Sequence, residues 1–107
     1  NQAIQHPLAV NWMELEAALA MVFKAASLYD QGKNCALEAN AAKYLAAEAG
    51  LSACQQAVRT HGGMGYAKEY HVERYLREIM IPIVAPVSQE MVKSFVAEKA
   101  LDQPKSY

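Results

Sequence analysis

The sequence predicts an all-α chain, an up-and-down bundle of four helices, two long and two shorter. Apolar residues recur at three- and four-residue spacings over two long stretches, and glycine and proline interrupt the pattern at only a few points. No repeat or low-complexity segment competes with that reading.

Taken in order, Pro7 suits the first turn of a helix, where a missing N–H costs nothing. Leu8, Trp12, Leu15, Leu19, Val22, Ala26 and Tyr29 then alternate spacings of four and three, which predicts a stripe facing a core on a helix running to about Asp30. Gln31-Gly32-Lys33-Asn34 has the residues of a short connection between antiparallel helices. The second helix carries Leu37, Tyr44, Ala47, Leu51, Cys54, Val58 and His61 on one side, and its many alanines let neighbouring helices approach closely. Ala67 to Tyr70 reads as a loop. His71 to Met80 reads as a short third helix, with Val72, Tyr75, Leu76 and Ile79 inward and Pro82 as its stop. Ile81 to Ala85 reads as an apolar connection for which a strand is a rival. Pro86 opens a last helix that turns Val87, Met91, Phe95 and Val96 inward and fades near Leu101, before a tail from Asp102 to Tyr107.

The bulk properties fit one domain. With 107 residues there is room for a single core but not for a substrate domain beside a nucleotide-binding one. Ten basic and eleven acidic residues, a net charge of −1, argue against a nucleic-acid surface. A 53% hydrophobic content supplies ample surface to bury, with a surplus available for another domain or subunit. Cys35 and Cys54 lack any pairing or metal spacing and read as reduced, buried thiols of a cytoplasmic protein. Neither a membrane span nor a secretory leader is suggested.

Between the second and third helices the chain breaks at Arg59-Thr60-His61-Gly62-Gly63-Met64-Gly65-Tyr66. Three glycines in four positions cannot continue a helix. They suit a helix cap with Gly62 left-handed, and they also suit a segment to which a phosphate or another backbone comes close. His61 at this helix end would be favoured as a cation, or it simply caps carbonyls. His6, His61 and His71 have no metal-ligand spacing, and no serine or cysteine sits in a signature for an activated nucleophile. Glu73, Arg74, Arg77 and Glu78 are spaced for salt bridges on a solvated helix face.

The glycine stretch continues into Glu69-Tyr70-His71-Val72-Glu73-Arg74-Tyr75-Leu76-Arg77-Glu78. Together they resemble the signature near the C-terminus of acyl-CoA dehydrogenases, written Q-x-x-G-G-x-G-[YF]-x-x-E-x-P-V-E-R-x-x-R-D. The resemblance extends over almost the whole chain and implies the C-terminal helical domain, residues 1–107, of a larger FAD-dependent oxidoreductase of fatty acid metabolism. Such enzymes remove an α-proton from an acyl-CoA thioester with a carboxylate base while hydride leaves the β-carbon for FAD. They are usually dimers or tetramers whose glycine segment lies against the FAD of a neighbouring subunit. By matching positions, the resemblance implies cofactor contacts at Arg59, Gly62, Gly63, Gly65 and Ser88. Arg59 stands where the family commonly has glutamine, and Ser88 where it has threonine.

The departures are equally specific. The family's Y-E-G-T segment, which often carries the base, corresponds to Ala85-Pro86-Val87-Ser88, and Pro86 cannot abstract a proton. A branch of the family supplies its base from an earlier helix, upstream of Asn1. The family's R-x-x-F-G-x-P segment keeps only Pro7 here, and a usual glutamine is replaced by Trp12. The N-terminal helical and middle β domains of a family member do not fit in this chain, so alone it is expected to be inactive. Two other readings stand beside this one: a catalytically degenerate oligomerisation or partner-binding bundle, and an unrelated four-helix module whose glycines are only a cap.

Overall fold

The computed structural model describes residues 1–106. Helix α1 spans Gln2–Asp30, α2 Ala36–His61, α3 Val72–Glu78, α4 Met80–Val84 and α5 Gln89–Leu101. Two 3₁₀ turns, Gly62–Tyr66 and Lys68–Tyr70, join α2 to α3. The short α3 and α4 are one helix broken at Ile79, so four helical rods form the fold, and no strand occurs among the described residues.

The side chain of Asn1 accepts from the Ala3 N–H at 2.9 Å and starts α1 earlier than the apolar pattern does. Pro7 therefore lies inside the helix, beyond the first turn, contrary to expectation. At the other end Gly32, at φ +67°, donates to the Tyr29 carbonyl and Lys33 donates to that of Leu28, both at 2.9 Å. This pair of bonds closes the helix and reverses the chain. Asn34, just before the Cys35 N-cap, then accepts the Ala36 N–H on its Oδ1 at 3.0 Å at the start of the next helix.

Helices α1 and α2 lie along each other through small residues. Asn11, Ala18 and Ala25 recur every seven positions on α1, and Ala42 and Ala49 do so on α2; all five are buried. Seven-residue spacing keeps a seam facing its partner over several turns, and alanine lets the two backbones come close. The expected core stripe of α1 lies elsewhere. Leu8, Trp12, Leu15, Leu19, Val22 and Tyr29 are all exposed, Trp12 by 63%. Periodicity locates an apolar stripe but does not say what covers it, and here the alanines take the contact within the chain.

The remaining elements pack on α2. Val92 of α5 is fully buried, whereas Val87 and Met91, expected to face inward, are exposed. Tyr75 of α3 is exposed as well. The α3–α4 junction seats on Gly50, where an added Cβ would stand 2.7 Å from Ile79 Cδ1. Pro82 does not stop the third rod, and Ile81 to Ala85 is neither a strand nor a plain connection. The helix breaks before Pro82 and restarts at Met80, which leaves the proline in a first turn that needs no N–H from it. Nor does Pro86 open α5, because Ser88 caps that helix by accepting from the Met91 N–H at 3.3 Å. No single helix among the described residues is long and apolar enough to cross a membrane.

This packing separates two kinds of site. Replacing Ala18 with Leu overfills the seam and is expected to cost about 1–3 kcal/mol, whereas Leu19→Ala on the exposed stripe stays within about 0.5 kcal/mol. Urea midpoints of the two variants of this chain check the contrast; an equal loss would place the core on the stripe instead.

Candidate functional site at the glycine turn

At the end of α2 the polar groups close on themselves. His61 Nδ1 donates to the Ala57 carbonyl at 2.9 Å, so this histidine caps the helix, and its ring meets Tyr70 edge-on at 6.1 Å. Gly62 donates its N–H to the Arg59 carbonyl and turns the chain at φ +59°, ψ −138°, a positive-φ conformation that side chains strongly disfavour. The positive φ matches expectation, while the ψ differs from that of a left-handed cap. The following 3₁₀ turn folds back on α2. Gly65 is buried there, and a Cβ on it would strike the Val58 carbonyl oxygen and lie 2.9 Å from the Val58 Cα.

Gly63 is different. It is exposed, its φ lies outside the left-handed region, and an added Cβ would meet nothing within 4 Å. Nothing inside this chain requires a glycine at that position. Its bare backbone therefore leaves room for a group from outside the chain to approach. Arg59, one turn earlier, is exposed and has no carboxylate in ion-pair range among the described residues. An exposed turn and, one turn earlier in the chain, an unpaired guanidinium are each features that a phosphate can approach.

Helix α3 carries the second half of the motif. Glu73 and Arg77 pair at 3.7 Å and Arg74 and Glu78 at 3.5 Å, each across one helical turn as expected. Arg74 also lies over the Tyr75 ring at 5.2 Å from its centre. Both pairs are largely solvated, so they contribute little to stability.

Ser88 sits apart from the glycines. The N-terminus of α5 is fixed to the middle of α2 by Gln89, a buried residue that composition and periodicity do not single out. Its Nε2 donates to the Tyr44 carbonyl at 3.2 Å and to Glu48 Oε1 at 3.0 Å, and its Oε1 accepts from Lys43 Nζ at 2.6 Å. From that point to Gly62 the rise of α2 is roughly 20 Å. One phosphate group cannot bridge Ser88 and the glycine turn. The Ser88 oxygen serves the helix cap, which leaves its hydroxyl proton to donate. Pro86, exposed beside it, offers no acid or base.

Cys35 and Cys54 are free and half-buried rather than buried. Burial raises the Cys54 pKa, which favours the neutral thiol. Among the described residues no group of three or more His, Cys, Asp or Glu is placed to hold a metal ion.

Comparison with known proteins agrees with the geometry. Residues 1–101 match the family described as acyl-CoA dehydrogenase, C-terminal domain. Acyl-CoA dehydrogenase FadE12 of Mycobacterium tuberculosis is 46% identical over 100% of this chain and 28% of its own length. A probable acyl-CoA dehydrogenase of Bacillus subtilis, YngJ, is 42% identical over 94% of the chain and 26% of its own length. The CarC subunit of the caffeyl-CoA reductase-Etf complex of Acetobacterium woodii is 46% identical over 75% of the chain and 21% of its own length. The chain belongs to the acyl-CoA dehydrogenase family, as its C-terminal helical domain, and it spans about 28% of the length of relatives such as FadE12.

The glycines have separable roles. Gly65→Ala drives a side chain into the α2 backbone and is expected to cost about 1–3 kcal/mol. Gly63→Ala is expected to shift stability by less than about 1 kcal/mol, in the stabilising direction. Thermal melts of the two variants decide this; comparable losses would make Gly63 part of the packing.

Proposed function

We propose that this chain is the C-terminal domain of an FAD-dependent oxidoreductase acting on the α,β-bond of an acyl-CoA thioester. In that role it contributes a cofactor contact at the glycine turn and an oligomer interface along α1. The observation that carries the cofactor contact is Gly63, a glycine that this chain's own packing does not need, beside an unpaired Arg59. Family membership supplies the flavin and the thioester as the chemistry to which such a turn is put.

The residues present fit a phosphate-bearing cofactor. Arg59 supplies charge and paired N–H donors, Gly62 shapes the turn, Gly63 leaves the approach clear, and Gly65 holds the turn against α2. When bound, FAD supplies the hydride acceptor of the reaction. The helical framework holds the cofactor and keeps the turn in register. It provides no proton acceptor at Pro86, so the base comes from another part of the protein. Ser88, some four turns away along α2, contacts a different part of the cofactor or a different cofactor molecule. In an oligomer, that second molecule belongs to a neighbouring subunit.

The interface is the exposed stripe of α1. Leu8, Trp12, Leu15, Leu19, Val22 and Phe23 leave a line of large apolar surface along a 29-residue helix. Such a line is costly to leave in water and favours a dimer or tetramer. The whole is read as a cytoplasmic enzyme.

The first experiment is the intact mass and absorption spectrum of the native gene product. A polypeptide several times this length with flavin absorption is expected, and Gly63→Val should lower its flavin content while leaving its melting temperature within a few degrees. A colourless protein, in which Gly63→Val changes nothing, would leave only the degenerate oligomerisation bundle. Leu19→Glu should shift the same protein to smaller species in sedimentation; an unchanged distribution would remove the stripe from the interface.

A further inference from the structure

The first turn of α5 is held on α2 by two buried residues of different kinds. Val92 is 1% exposed, and Gln89, one turn earlier, is 2% exposed. An apolar contact such as that of Val92 fixes how close two helices lie, but it is non-directional and tolerates rotation. A planar amide bonded at several points is directional and fixes the angle as well. Gln89 is the first residue of α5 and Ser88 is its cap. Whatever holds the Gln89 side chain therefore holds the backbone that carries the Ser88 hydroxyl.

The Gln89 amide has one orientation that satisfies its neighbours. Lys43 Nζ can only donate, so the group facing it at 2.6 Å is Oε1. The Tyr44 carbonyl at 3.2 Å and the Glu48 carboxylate oxygen at 3.0 Å accept, so the group facing them is Nε2. The usual two-fold ambiguity of a glutamine is removed by the chemistry of its partners. The Asn11 amide is a contrast: its Nδ2 donates to Ser52 Oγ at 2.7 Å, while its Oδ1 is buried without a donor. Bonds to charged groups are shorter and stronger than those between neutral ones, and Gln89 makes one at each end of its amide. An apolar side chain would fill the position without needing Lys43 or Glu48 beside it. An amide between two opposite charges adds direction to the contact.

We infer that Gln89, held between Lys43 and Glu48, is a positioning residue that aims the Ser88 hydroxyl at the bound flavin cofactor. The inference rests on the reading of Ser88 as a cofactor contact. Ser88 Oγ accepts from the Met91 N–H at 3.3 Å, so its oxygen is tied to the helix and its proton is the group left for the cofactor. A small rotation of α5 swings that proton off its acceptor, because hydrogen bonds weaken steeply with angle. Gln89 is buried with both ends of its amide occupied, and it acts through Ser88. Lys43 and Glu48 lie five residues apart on α2, so the aim of Ser88 is set by the long helix and not by α5 alone.

The test is titration of the native full-length apoprotein with FAD, alongside its melting temperature. Ser88→Ala should raise the FAD dissociation constant about fivefold, the equivalent of one lost hydrogen bond. Gln89→Ala should raise it by about as much, and the double variant by no more than the larger single effect, because both act through one contact. Val92→Ala should lower the melting temperature at least as far as Gln89→Ala does, yet hold FAD affinity within about twofold of the unaltered protein. That difference separates aiming from packing. Gln89→Glu sets a carboxylate against Glu48 and should weaken FAD binding as Gln89→Ala does. Adding Glu48→Gln restores a donor there and should recover most of the affinity, a measurement that stands even where Gln89→Ala does not fold. Additive losses in the double variant, unchanged affinity in Gln89→Ala or Gln89→Glu, no recovery on adding Glu48→Gln, or an equal loss in Val92→Ala overturns the positioning role and leaves Ser88 as a cofactor contact. Unchanged affinity in Ser88→Ala overturns both. A native protein that binds no FAD overturns the flavin reading itself, and the positioning role with it.

Discussion

The close contact of α1 with α2 is the constraint on which the rest of the fold depends. It is built from alanine, which gains little by burial of each side chain but allows two long helices to lie backbone to backbone. It also leaves the larger apolar side chains of α1 with nowhere to go but outward. The other elements use the remaining faces of α2, through Val92, Gly50 and the Gln89 cluster.

A chain built this way does not finish its own core. Its radius of gyration is 16.3 Å, against about 13 Å for a compact domain of this length. Six buried apolar residues among those described, five of them alanine, leave the interior thin, and the surface of α1 holds large apolar side chains. This is the composition expected of a module whose stability is completed by contact with other domains or subunits. The chain spans about a quarter of the length of relatives such as FadE12 and YngJ.

The glycine turn shows how one short motif serves two ends. Gly62 and Gly65 are answers to local problems, a positive φ and a backbone collision. Gly63 answers no problem within the chain, and it lies on the exposed surface beside Arg59. A motif read as a single pattern thus divides into residues that build the turn and a residue that keeps its approach clear. The separation of Ser88 from this turn comes from the length of α2, a rigid spacer that sets the distance between them.

What the sequence by itself determined is the local and the repetitive. Helical periodicity, the Gly32 connection, the glycine break and the family pattern around Val72-Glu73-Arg74 depend on neighbours within a few residues, and they were legible. Helix starts were not legible where prolines seemed to decide them. Pro82 and Pro86 act through their position in a turn, which depends on where the helix restarts. Only the tertiary structure decided which stripe of α1 is buried, because amphipathicity names a face without naming its partner. The same holds for the Gln89 cluster and for the Asn11–Ser52 contact, whose partners lie 41 to 46 residues away. Long-range pairing of polar side chains has no period, so no local pattern announces it, and the fold has to bring the partners together before their chemistry appears.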